Sequence, residues 1–141
     1  MRPTFYALAT HKLHFLEVCL RDNTFYTELS LLCYYCVELA LKSVLELVEP
    51  EADRFLETKS LDYVNQRLRK NHVDLGIDLN LLISLQLIYV TSQTPTSSYR
   101  IIDKEEFEKF LKFTYTVISR VNDWRIYMDL PAEAFECPLT Y

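Results

Sequence analysis

Hydrophobic and polar residues along much of this chain follow the period of an α-helix, most clearly between Phe25 and Glu49. One apolar row there recurs at steps of three or four residues and comprises Phe25, Leu29, Leu32, Cys33, Cys36, Val37, Ala40, Leu41, Val44 and Val48. A second apolar row comprises Leu31, Tyr34, Tyr35, Leu39, Leu45 and Leu47. The stretch holds no Gly or Pro, so it predicts one long helix. Because most of its circumference is apolar, we expect the rest of the bundle to cover one side and a further helix or a second subunit to cover the other.

Four further segments predict helices around this central one. They run from Thr4 to about Asp22, from Leu61 to about Asn71, from Leu79 to about Thr91, and from Asp103 to about Tyr127. Ser60, Asp78 and Asp103 stand where N-caps are expected. The pattern predicts an all-α fold, an antiparallel up-and-down bundle of about five helices. We expect one domain over residues 1–128 and an irregular tail over residues 129–141, where two prolines stand and no period remains.

Composition narrows the class of protein. The chain has 141 residues, of which half are hydrophobic and a quarter charged, as in a globular domain. A single glycine argues against sandwiches, barrels and glycine-rich phosphate loops, so no cofactor is predicted. The net charge of −5 gives no general attraction for nucleic acid. The first residues are too polar for a secretion signal, and no apolar run has the length of a membrane span. We expect a cytoplasmic protein.

Cysteine and histidine spacing offers little evidence for a metal or redox site. Cys33 and Cys36 have CxxC spacing, but they lie mid-helix, whereas redox pairs stand at a helix start. Their alternative role is as small buried side chains between helices. His11, His14 and Glu17 lie on one polar helix face, where solvated side chains are the usual interpretation. The Glu-x-x-His pairs of di-iron bundles do not occur, and no metal is predicted.

Several segments together resemble the HEPN family of small helical domains. The sequence from Cys36 to Leu45, CVELALKSVL, is similar to the family's apolar-Glu-x-Ala-x-Lys-x-x-Leu segment on its second helix. Lys59-Ser60-Leu61 resembles its short-helix start, where many members have His in place of Ser60. Residues 87–100 resemble a helix end followed by a loop with an Arg-Tyr-Pro-like sequence, here in the order Tyr99-Arg100. Residues 103–121 resemble the last helix, so the likeness covers residues 5–124.

The resemblance implies a dimeric module that binds other molecules. HEPN domains are generally dimeric, and many pair with a minimal nucleotidyltransferase as toxin and antitoxin. We therefore expect a homodimer through Tyr35, Leu39 and their neighbours, with a nucleotidyltransferase as partner and a nucleotide or RNA as ligand. Candidate binding residues are Glu38, Lys42, Tyr99 and Arg100. Glu38 and Lys42 are four residues apart and stand either at the inter-subunit groove or as a simple helix-edge pair.

One short motif introduces a catalytic alternative. Nuclease members of the family carry Arg-x(4 to 6)-His and cut RNA without metal across the dimer. The matching sequence here is Arg67-Leu68-Arg69-Lys70-Asn71-His72. His72 could move a proton at a ribose 2′-OH and Arg67 could hold the phosphate. Nuclease members have the motif at the last helix, whereas here it stands at the end of the third. The hypotheses are a non-catalytic binding module and, as the alternative, an endoribonuclease toxin using Arg67 and His72.

Overall fold

A computed structural model of the chain describes residues 4–22, 24–50, 60–93 and 101–130. Within these ranges it contains helices and no strand, and the helices are α1 (Phe5–Cys19), α2 (Tyr26–Val48), α3 (Leu61–Lys70), α4 (Leu79–Gln93) and α5 (Lys104–Tyr127). This confirms the all-α fold of about five helices. The central helix α2 runs unbroken for 23 residues, as its pattern predicts.

Side-chain caps fix where the helices begin. The Ser60 hydroxyl accepts a hydrogen bond from the backbone N–H of Tyr63, and the Asp103 carboxylate accepts one from that of Glu106. Asp78 accepts hydrogen bonds from two N–H groups in the first turn of α4. All three caps stand where the sequence predicts them, because capping depends on residues within one helical turn.

Contacts between the helices show their directions. Residues near the start of α1 contact the end of α2, since the backbone N–H of Phe5 donates to Glu46 at 3.0 Å, so α1 and α2 are antiparallel. The start of α5 packs beside the start of α2, where the Phe107 and Tyr26 rings stack at 5.5 Å. Helix α4 runs against both α2 and α5, and the short α3 packs against α2 and α4. Helix α2 thus runs antiparallel to α1 and parallel to α5, with α3 inserted after α2.

Helix α2 is the centre of the core, and most of it is covered within one chain. Tyr34 and Leu45, from its second apolar row, are buried. Leu31, Tyr35 and Leu39 are half-buried against the core. The largest fully buried side chains are Tyr34, Phe110, Leu16, Leu29, Leu41, Leu45, Leu61, Leu68, Leu82, Leu85 and Ile102. Dimerisation through Tyr35 and Leu39 stays a prediction, and the surface that this chain leaves open on α2 is narrower than the sequence pattern indicates.

Helix α4 has an uncovered apolar face. Its fifteen residues, LNLLISLQLIYVTSQ, include no charged side chain. Leu82 and Leu85 face the core and are fully buried. The opposite side carries a row at steps of four, four and three residues whose members are between 42% and 56% exposed: Leu79, Ile83, Leu87 and Val90. We call these four residues the α4 outer row. A helix that is apolar all round normally packs on both sides.

Helix α5 ends in a regular C-terminal motif, close to the last described residue. Asp129 adopts a left-handed conformation with φ of 54°, and the backbone N–H of Leu130 donates to the carbonyl of Arg125 at 3.0 Å. These features form a Schellman motif that ends α5. The predicted irregular tail lies, from residue 131 onward, outside the described residues. Among the described helices, none combines the length and apolar character needed to cross a bilayer.

Candidate functional site

Arg67, the predicted phosphate-binding residue, forms an ion pair with the carboxylate of Glu49 at the end of α2. Its Nε donates to Oε2 of Glu49 at 3.3 Å, and its Nη2 donates to Oε1 of the same side chain. Asn71 donates to Glu49 Oε1 at 3.0 Å and to the Arg67 carbonyl at 2.9 Å. The hydrogen bonds from Arg67, and then from Asn71, lower the pKa of Glu49, while the bond to Glu49 raises the pKa of Arg67.

His72, the predicted proton-transfer residue, occupies the position that ends α3. Its φ is 63°, in the left-handed region. Its N–H donates to the Arg69 carbonyl at 3.0 Å, and the N–H of Val73 donates to the Leu68 carbonyl at 2.9 Å. These two bonds define a Schellman motif with His72 at C′. The side chain is exposed, and in the described part of the chain no hydrogen bond or ion pair joins it to Arg67.

Glu38 and Lys42, the predicted binding pair, form a largely covered ion pair in α2. Lys42 Nζ lies 3.5 Å from Glu38 Oε2, and the side chains are 4% and 18% exposed. The Phe5 ring lies under the Lys42 ammonium at 6.0 Å. Tyr34 donates its hydroxyl to Glu38 Oε2 at 3.0 Å. The pair has the i,i+4 spacing of a helix-edge pair, but α1 covers the lysine, so the ion pair is more buried than one at an exposed edge.

Tyr34, which donates to Glu38 of this ion pair, packs against two further tyrosine rings. Tyr34 and Tyr89 stack with centroids 4.3 Å apart and planes at 3°, which joins α2 to α4. Tyr35 meets both rings edge-on, at 5.4 Å and 6.0 Å, and Lys12 of α1 lies 5.4 Å above its centroid. Burial, followed by the charge of Glu38, raises the pKa of Tyr34, so its hydroxyl stays a hydrogen-bond donor at neutral pH. We call Tyr34, Tyr35, Tyr89, Glu38 and Lys42 the tyrosine cluster.

The sequence pattern indicated only part of this site. No local signal in the sequence pairs Glu49 with Arg67, because residues 50–66 lie between them along the chain. Tyr34 and Tyr89 stand in the sequence pattern as apolar positions, which does not predict their contact. The other predicted binding residues, Tyr99 and Arg100, lie outside the described residues.

Comparison with known proteins identifies the kind of domain to which these clusters belong. Residues 6–124 match the HEPN domain. The chain belongs to the HEPN domain family. The match covers all five helices to within a few residues, and it makes this chain a nucleotide- or RNA-related helical module. Searches of curated proteins and of solved structures each gave no match.

Cys33 and Cys36 of this HEPN domain are buried between helices, and Cys33 contacts Thr114 of α5. Burial raises the pKa of the Cys33 thiol to about 11 and raises the pKa of Cys36 as well. Thiolates at neutral pH are therefore rare, and nucleophilic chemistry is disfavoured at either residue. Within the described residues, no group of three or more His, Cys, Asp or Glu side chains is arranged to hold a metal ion.

Proposed function

We propose that this protein is a dimeric HEPN module that binds a partner protein without catalysing a reaction. The candidate partner is a minimal nucleotidyltransferase, and the candidate ligand is a nucleotide or RNA. Membership of the HEPN family supports the proposal, because HEPN domains commonly dimerise. The predicted site residues contribute further support from their contacts.

The ion pair between Arg67 and Glu49 is the main evidence for the proposal that the module does not catalyse a reaction. Two N–H groups of the guanidinium already bond to a carboxylate, which a scissile phosphate would have to displace. Asn71 reinforces the same carboxylate. His72 has a backbone role as the residue that ends α3. The Arg-x4-His spacing is thus explained by helix packing and helix termination, without a need for RNA cleavage.

The α4 outer row supports a contact with a second copy of the chain. In a two-fold symmetric interface each surface meets its own copy, so a charged residue near the axis would face a like charge. Helix α4 carries no charge, which suits such self-contact. Tyr35 and Leu39, predicted as dimer residues, are half-buried, whereas Leu87 of the α4 outer row is 56% exposed. We therefore expect α4 to contribute more to the interface than α2.

Solution mass tests the dimer. We expect light scattering after size exclusion to give a two-subunit mass for the wild type and a lower mass for Leu87→Glu, because an unpaired charge is costly in an apolar interface. Leu39→Asp should have the smaller effect. Phe15→Glu is a matched control, since Phe15 is 49% exposed but lies on α1. The measurement is made at about 100 μM protein, well above the dissociation constant of a stable dimer. A single-subunit mass for the wild type at this concentration would reject the dimer.

The nuclease alternative is tested with a variant that keeps the helix end intact. His72 is exposed beside the exposed cations Arg69 and Lys70, which is the feature that favours this alternative. His72→Asn removes the imidazole, while asparagine tolerates the left-handed conformation. A nuclease requires that purified wild type cut RNA in the presence of EDTA and arrest growth on expression, and that His72→Asn do neither. We expect no cutting and no arrest by either protein.

A further inference from the structure

Two cavities adjoin along the seam between α4 and α5. Both helices pack mainly on α2 and make fewer contacts with each other, which leaves the seam open on its outer side. One cavity, of about 310 Å³, lies between the entry to α4 and the middle of α5, and the other, of about 300 Å³, lies beside it towards the start of α5. Leu81 and Lys109 line both cavities, so the two form one trough, which we call the α4–α5 groove.

The α4–α5 groove is elongated. Its α5 wall extends from Asp103 to Val117, which corresponds to about 20 Å at the rise of an α-helix. Small-molecule sites are compact clefts that enclose most of their ligand. An open trough that follows two neighbouring helices instead has the shape that accepts a third helix along the same axis.

Apolar side chains form the floor of the α4–α5 groove. Ile77 and Leu81 are half-buried, whereas Phe110, Phe113 and Val117 are almost fully covered. The apolar area that a ligand can cover is therefore modest. An apolar row at steps of three and four residues is the pattern that places several side chains in such a trough.

Charges on the α5 wall change sign along the α4–α5 groove. Glu105 and Glu106 stand in the first turn of α5, and Lys109 and Lys112 follow about one and two turns after Glu105. Both lysines are exposed, and neither forms an ion pair with another residue in the described ranges. Asp78, on the α4 side, already accepts hydrogen bonds from two N–H groups. A complementary ligand therefore carries basic groups at one end and acidic groups at the other, which disfavours RNA, a polyanion along its whole length.

The described helices of a second copy of this chain do not supply such a ligand. Helix α4 has an exposed outer row but no charged side chain to meet the lysines. The main apolar rows of α1, α2, α3 and α5 lie in the core of their own chain. The ligand that fits therefore comes from another protein.

We propose that the α4–α5 groove binds one amphipathic helix of a partner protein. The apolar row of that helix lies on the floor, its acidic side chains face Lys109 and Lys112, and its basic side chains face Glu105 and Glu106. The proposal rests on the partner binding proposed above and adds the surface and the kind of segment that it recognises. It does not involve the α4 outer row, so it is independent of the dimer.

The probe is a synthetic peptide of about 14 residues, the length of helix that spans the groove. It carries leucines at steps of three and four residues, lysines in its first turn and glutamates in its last two turns. Binding to the isotope-labelled full chain is followed by amide NMR and by fluorescence anisotropy. We expect saturable shifts at Leu81, Lys112 and Phe113 and a dissociation constant of about 100 μM, because the apolar area is modest. A peptide of the same composition without the leucine period should not bind.

Charge-reversal variants test the order of charges. Lys109→Glu/Lys112→Glu should weaken binding of the probe about tenfold, which is a loss of about 1.4 kcal/mol. A second peptide, with lysines in place of the glutamates, should bind this variant more tightly than it binds the wild type. Lys70→Glu/Lys104→Glu is the matched control, because it changes the net charge equally at exposed lysines outside the groove. Its affinity for the probe should stay close to that of the wild type.

The outcomes separate this proposal from the dimer and from other ligands. No binding of the probe at about 1 mM would overturn it, as would equal binding of the peptide without the leucine period. Equal losses in the two double variants, or shifts confined to the α4 outer row, would also overturn it. Tighter binding of a single-stranded RNA oligomer at Leu81 and Phe113 would replace the helix by RNA. A wild type that has a two-subunit mass but does not bind the probe would retain the dimer and reject the groove as the partner site.

Discussion

Arg67 and Glu49 form a two-point ion pair that joins helix α3 to the residue after helix α2. The two residues are eighteen positions apart, and Asn71 donates to the same carboxylate one helical turn after Arg67. The pair anchors the short helix α3 to the end of the central helix. It also gives the arginine of the Arg-x4-His motif a structural partner.

This ion pair predicts an acid-sensitive contribution to stability. Arg67 holds the pKa of Glu49 below its ordinary value of 4.5. A carboxylate with a lower pKa in the folded chain contributes stability above its unfolded pKa and loses it as pH falls through the folded pKa. Glu49→Gln should therefore lower the free energy of unfolding slightly at pH 7, and this difference should vanish in acid.

Urea denaturation at a series of pH values measures the effect. Both partners are solvent-accessible, so the difference at pH 7 should be small. Glu108→Gln changes an exposed carboxylate of α5 and serves as the control, with no comparable pH-dependent difference. If Glu49→Gln destabilises equally at pH 3 and pH 7, a role of its charge in stability is rejected.

The left-handed backbone at His72 predicts an unusual order of variants. Glycine adopts this conformation without steric cost, whereas a β-branched residue is strained there by roughly 1–2 kcal/mol. We expect His72→Gly to be at least as stable as wild type and His72→Val to be less stable, as measured by thermal unfolding. The reverse order would show that the imidazole, not the backbone, matters for stability.

The covered ion pair between Glu38 and Lys42 predicts asymmetric costs. Glu38→Gln leaves the Lys42 ammonium covered without an opposing charge and should cost about 2 kcal/mol, below the roughly 3–5 kcal/mol of fully buried pairs. The reduction is expected because 18% of the Glu38 side chain is exposed. Lys42→Met removes the charge and keeps the apolar stem, so Glu38→Gln/Lys42→Met should be more stable than Glu38→Gln. Chemical denaturation of the three variants decides this; equal stability of the single and double variants would contradict it.

A buried hydrogen bond fixes the entry of the chain into α5. The backbone N–H of Ile102 donates to the Thr27 hydroxyl at 2.8 Å. Thr27→Val keeps the shape but leaves this N–H unsatisfied, which should cost about 1–3 kcal/mol in unfolding free energy. Thr116→Val is the matched control, because that hydroxyl is exposed and bonds only within α5 at 3.0 Å; its effect should stay within about 0.5 kcal/mol. Similar losses in the two variants would contradict this role of Thr27.

The raised thiol pKa values predict slow modification of the folded protein. In a Cys19→Ser/Cys137→Ser variant, only Cys33 and Cys36 remain. Because burial raises the pKa of Cys33 to about 11, both thiols should resist an alkylating reagent at pH 8 until the chain unfolds. Mass spectrometry with and without urea measures this. Rapid labelling of the folded variant would restore the redox interpretation of the CxxC spacing.

The helices and their starts could be predicted because their causes are local. Ser60, Asp78 and Asp103 cap helices through bonds that span two or three residues. The long helix α2 follows from its period and its lack of glycine and proline. Helix ends are harder to predict, because they depend on backbone conformations that residue type specifies weakly. The predicted ends of α1 and α3, at about Asp22 and Asn71, therefore lie slightly beyond the observed ends at Cys19 and Lys70.

The amino-acid sequence by itself determined the all-α class, the five helices and the family to which the chain belongs. Only the tertiary structure decided which side chains meet across the bundle. In the folded chain the ring of Tyr34 stacks on that of Tyr89, α1 covers Lys42, and Arg67 forms an ion pair with Glu49. The tertiary structure also left the α4 outer row exposed while covering much of the second apolar row of α2. Helical periodicity fixes which residues share a face, but the packing of distant segments fixes what each face contacts.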